Sequence, residues 1–134
     1  PEPMPLEEFT RHLRTALTRH LAPAAVRWQV ETQSLTGSVA IDPGRFSFVL
    51  DGMARRLDAA NCKDVTASVQ REGAGTLSRY VLVLAGRGSE RKTDANAYIE
   101  WAVIERVVEL HGGVVEASAV GSERTVRLKL PIRF

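Results

Sequence analysis

Residues 98–131, YIEWAVIERVVELHGGVVEASAVGSERTVRLKLP, decide how this chain is read. They open as an amphipathic helix over 98–110, in which apolar residues recur at helical spacing. Gly112-Gly113 stops it, because glycine adopts the left-handed conformation that ends a helix at no steric cost. Two short strands follow, 114–119 and 125–130, joined by a turn.

Working outward, the segment 86–96 is polar and irregular. Before it, 65–70 and 79–85 read as strands joined by a turn holding Gly73 and Gly75. Asp42-Pro43 supplies an N-cap and a first-turn proline. The helix they open places Phe46, Val49, Leu50, Met53 and Leu57 on one stripe. Residues 25–32 alternate as a strand, with Val26, Trp28 and Val30 on one face, and 38–41 reads as its hairpin partner across 35–37. The chain begins with a helix over 6–20, carried by Leu6, Phe9, Leu13, Ala16 and Leu17, with Pro23 favouring its stop. Helices alternating with strand pairs imply an α+β fold. The expected form is a two-layer α/β sandwich, a mixed and mostly antiparallel sheet with three helices on one face.

At 134 residues the chain suits one domain that buries a core without disulfides or metal. The lone cysteine, Cys62, excludes an internal disulfide and fits a reducing, cytoplasmic setting. No apolar run reaches the roughly 18 residues of a membrane span, so no direct membrane insertion is expected. Pro1 in place of an initiator Met suggests a fragment of a larger protein. Only Lys63, Lys92 and Lys129 are lysines among 18 basic residues. The arginines are spread along the chain with no aromatic-basic motif, which argues against nucleic-acid binding. No Ser-His-Asp set, paired catalytic carboxylates or metal cluster emerges.

The 98–131 segment, with its "VELHGG" stop and closing "LKLP", resembles the end of the ATP-binding domain of bacterial sensor histidine kinases. The LEEFTRHL opening and the D-P-x-R-F helix start at Asp42 extend the resemblance over nearly the whole chain. It implies the GHKL-type ATPase sandwich. In that family the second helix carries two asparagines facing ATP, the second of which holds Mg²⁺. Those positions fall here on Gly52 and Arg56, and a guanidinium cannot ligate a cation. The family's D-x-G-x-G aspartate, which accepts the adenine amino group, falls on Leu84, leaving Gly86 and Gly88. The phosphate-cradling glycines fall on Asn96, Tyr98 and Glu100, where side chains block close approach. Glu100, with Asp94, adds negative charge where a helix N-terminus would attract an anion. Thr93 or Asp94 is the expected cap of that helix.

The resemblance therefore implies a degenerate nucleotide site with no catalytic residues, no bound metal and no cofactor. The domain is expected to be a non-catalytic interaction module of two-component phosphosignalling. Its partners would be a helical dimerisation or phosphotransfer domain, or a response-regulator receiver. Arg11, Arg14, Arg19, Arg87, Arg91 and Lys92 are the candidate partner-binding residues. The alternative is a divergent kinase domain that still binds ATP and Mg²⁺; a third reading has Arg56 and Arg87 hold another small anion. Further expectations are that Arg56 pairs with Glu100 or Asp94 and that Tyr98 or Trp101 fills the old cleft. His12 and His20 are expected to be polar positions on the first helix, and His111 to serve the end of its own helix.

Overall fold

The computed structural model describes residues 2–22, 25–30, 36–89 and 95–134. Strand β1 (Glu2–Pro5) leads into α1 (Leu6–His20), β2 (Val26–Val30), β3 (Ser38–Ile41) and α2 (Pro43–Ala59). Then come β4 (Lys63–Glu72), β5 (Arg79–Arg87), α3 (Ala95–Leu110), β6 (Val114–Val120) and β7 (Glu123–Pro131). Five strands form one sheet in the order β2-β4-β5-β7-β6. Only β2–β4 is parallel; the other neighbours are antiparallel. The mixed α+β architecture is the one expected.

One face of that sheet carries the core. Val65, Ala67 and Val69 of β4, Tyr80, Leu82 and Leu84 of β5, and Val126, Leu128 and Leu130 of β7 are all buried. In β4 and β7 they alternate with more exposed neighbours, the period-two pattern of a half-covered sheet, whereas in central β5 Val81 is buried as well. The helices close over them through Leu6, Phe9, Leu13 and Leu17, then Phe46, Val49, Met53 and Leu57, and finally Ile104 and Val108. The α2 start follows its sequence signal: the Asp42 side chain accepts from the Arg45 N–H at 3.3 Å, with Pro43 in the first turn.

The expected hairpin of 25–32 with 38–41 does not form. β3 pairs antiparallel with β1, Met4 opposite Val39, in a separate two-stranded sheet. β2 instead pairs parallel with β4, from Val26 opposite Val65 to Val30 opposite Val69. The parallel arrangement turns α2 into a crossover, so its apolar stripe lies against the sheet. Residue 35, where the turn was read, lies outside the described residues. β1 escaped the sequence reading because Glu-Pro-Met-Pro has no apolar alternation. Prolines are tolerated there because the pair consists of edge strands only.

Candidate functional site

Of the positions that the sequence singled out, Gly52, Arg56 and Glu100 lie at the seam between α2 and α3. These helices run antiparallel, with Asp42 against His111 at one end and Arg55 against Glu100 at the other. Gly52 is buried against α3. A Cβ built there would overlap the end of Ile104 and stand 3.4 Å from Glu100 Oε1. Glycine at this position thus admits the α3 side chains.

Two arginines divide the work beside it. Arg55 donates to Glu100 Oε1 through Nε at 2.9 Å and through Nη2 as well. Arg56, expected to take this carboxylate, instead lies 4.4 Å over the Trp101 ring. The difference is helical phase: consecutive residues on α2 point about 100° apart, so only one can face Glu100. Desolvation lowers the Arg56 pKa, while nearby Glu105 and Tyr98 act to raise it. Trp101 is half-buried under that guanidinium, a cation–π arrangement. Tyr98 fills nothing; it is 68% exposed. Asn96 is also exposed. Thr93 and Asp94 lie outside the described residues.

The Gly86-x-Gly88 pair packs on the turn that ends α2. A Cβ on Gly86 would sit 3.1 Å from Val65 Cγ2, and one on Gly88 would sit 2.8 Å from Cys62 Sγ. The Gly88 N–H donates to the Ser122 carbonyl at 2.9 Å, and the Ser89 N–H to the Ala60 carbonyl at 3.0 Å. Leu84 is fully buried in the core. Burial raises the Cys62 thiol pKa, which keeps the thiol protonated. Among the described residues no group of His, Cys, Asp or Glu is placed to hold a metal ion.

At the other end of the seam His111 does more than serve its own helix. Its Nδ1 lies 2.7 Å from the Val107 carbonyl, which can only accept, so Nδ1 carries the proton. Nε2 therefore accepts the Asp42 N–H at 3.1 Å. The ring meets Phe46 edge-on at 4.8 Å, Phe46 meets Phe9 at 5.9 Å, and Phe9 meets Tyr80 at 5.2 Å. One aromatic chain thus links the end of α3 to the sheet.

Of the candidate partner-binding residues on α1, Arg14 and Arg19 each have a partner of their own. Arg14 lies 4.6 Å over Trp28, and Arg19 Nη1 bonds both Asp51 oxygens at 3.0 Å. His20 also approaches Asp51, at 3.3 Å. Positions 14 and 19 are about 140° apart around a helix, which sends them to opposite flanks. Arg11 and Arg87 are exposed; Arg91 and Lys92 lie outside the described residues. Sequence reasoning missed Arg55, Asp51 and Ile104, since no local signal marks a partner 45 or 32 positions away.

No family model and no curated protein matches the chain. Solved structures do. The catalytic domain of histidine kinase ThkA in a nucleotide-free form superposes with a TM-score of 0.70 at 13% identity, covering 98% of this chain and 97% of that one. The fold is that of the histidine-kinase catalytic domain. A mycobacterial sensor histidine kinase, MprB, aligns with a TM-score of 0.67 at 16% identity over 98% of this chain and 99% of its own. The Acinetobacter baumannii histidine kinase AdeS gives 0.66 at 14%, over 99% of this chain and 68% of its own. Among the described residues this fold comprises a two-stranded β1–β3 sheet, a five-stranded sheet and the helices α1, α2 and α3. No helix among the described residues is long and apolar enough to cross a membrane.

Proposed function

We propose that this domain is a non-catalytic interaction and regulatory module of two-component phosphosignalling, located in the cytoplasm, that keeps the kinase fold without its nucleotide chemistry. One observation carries the reading: the α2–α3 seam is occupied by the protein's own groups. Ile104 abuts Gly52, Arg55 holds Glu100, and Arg56 covers Trp101. Magnesium seeks oxygen ligands, and the resemblance puts the cation Arg56 where one would be needed. The Gly88 N–H, a potential phosphate donor, is already committed to Ser122. The residues present therefore do not fit Mg·ATP, and no catalytic step is assigned to them. The partner would be a helical dimerisation or phosphotransfer domain or a receiver.

Calorimetric titration with Mg·ATP and Mg·ADP tests the reading. The expected result is no saturable heat. A dissociation constant below roughly 100 μM would instead establish a divergent nucleotide-binding kinase domain.

A further inference from the structure

Away from the α2–α3 seam, α1 and α2 enclose a cavity of about 130 Å³. Its lining includes Phe9, Ala16, Ile41, Phe46 and Leu50, each no more than 4% exposed. This volume is close to that of apolar cavities that admit a single benzene-sized ring, about 150 Å³. Met4 also lines it, and the mouth is different: His12, Thr15, Arg19, Pro43 and Ser47 there are exposed.

The charges at that mouth are already spent. Arg19 bonds Asp51, which His20 also approaches, and His12 Nε2 stands 3.8 Å from Glu8. A charged ligand would meet a cation and its counter-ion together, and would gain little from either. The hydroxyls are better placed to act. Thr15 uses its proton on the Arg11 carbonyl at 3.1 Å, which leaves its oxygen lone pairs to accept, and Ser47 can donate or accept. A small apolar site with a few convergent polar groups is the usual form of a ligand pocket.

We infer that the α1–α2 cavity is a binding site for a small neutral molecule made of one aromatic ring with a hydroxyl head, a phenol. The ring enters between Ala16 and Phe46, and the hydroxyl stays at the Thr15–Ser47 mouth. This goes beyond the interaction-module reading and stands or falls without it, because neither the seam nor any partner enters the argument.

The test is titration of the whole protein with phenol, followed by two-dimensional NMR, with benzoate and benzylamine in parallel. Saturating shifts should centre on Ala16, Phe46 and Leu50, and the two charged probes should bind at least about tenfold more weakly. Ala16→Leu, which fills the floor, and Ser47→Phe, which blocks the mouth, should each abolish saturation in a protein that remains folded by circular dichroism. Should Ala16→Leu fail to fold, Ser47→Phe decides alone, since its site is exposed. Shifts that stay linear, that centre elsewhere, or that survive in the folded variants would overturn the site. Benzoate or benzylamine binding as tightly as phenol would overturn its neutral chemistry.

Discussion

The two ends of α2 are held in opposite ways. At the N-terminal end, Asp42 and Phe46 meet His111, Phe9 and, beyond Phe9, Tyr80, through neutral hydrogen bonds and buried ring edges. At the C-terminal end, Arg55 and Arg56 meet Glu100 and Trp101 through charges that stay partly in water; Arg55 is 39% exposed and Glu100 35%. Removing apolar area from water and leaving no polar group unpaired is what stabilises a fold. Partly solvated ion pairs contribute little. On this balance the aromatic end anchors the fold more than the partly solvated seam does.

The comparison breaks most readily at Phe46, which is 1% exposed. Phe46→Ala should cost about 3–5 kcal/mol through lost transfer energy and the cavity left behind, read as a fall in the denaturation midpoint. A loss below about 1 kcal/mol would mean that this end is not the anchor.

Tyr80 offers a pH test of the same end. Thr10 spends its hydroxyl proton on the Leu6 carbonyl at 2.8 Å, so the Tyr80 O–H donates to Thr10 at 3.1 Å. Burial pushes the Tyr80 phenol up to about 12. The fold thus favours the neutral phenol. That stabilisation is complete below about pH 10, the ordinary tyrosine range, and is lost as pH rises through about 12. Alkaline unfolding should move upward in pH in Tyr80→Phe relative to the parent, scaled to each protein's neutral-pH stability. An unchanged alkaline limb would show that other groups control it.

His111→Ala should be intermediate, about 1–3 kcal/mol, since it strands the Asp42 N–H and the Val107 carbonyl. Amide exchange should accelerate first at Asp42 and the opening turn of α2. Uniform acceleration across the domain would instead point to a general loss of packing.

The smallest effect is expected at the seam. A double-mutant cycle of Arg55→Ala and Glu100→Ala should give a coupling of at most about 1 kcal/mol that shrinks with added salt. A salt-independent coupling well above that would make the seam a second anchor and remove the contrast between the two ends.

Much of the scaffold was legible because short-range chemistry wrote it. The α1 bounds, 6–20, emerged from apolar spacing alone. The α2 stripe and its Asp42-Pro43 start were legible for the same reason, as was the glycine stop of α3. Strand partners were not. Alternation in 25–32 and 38–41 says that each is a strand, yet pairing depends on which arrangement lets α2 cover the sheet. The candidate positions Gly52, Arg56 and Glu100 were found by resemblance, but their contacts were not: Glu100 went to Arg55 and Trp101 to Arg56.

The sequence by itself thus determined the three helices and the strands after β1, because residue type and spacing fix these locally. Tertiary structure alone decided that β2 lies parallel to β4, that His111 clasps the start of α2, and which arginine meets which α3 side chain. Those choices depend on helix phase and on packing between residues far apart in the chain, which no local pattern encodes.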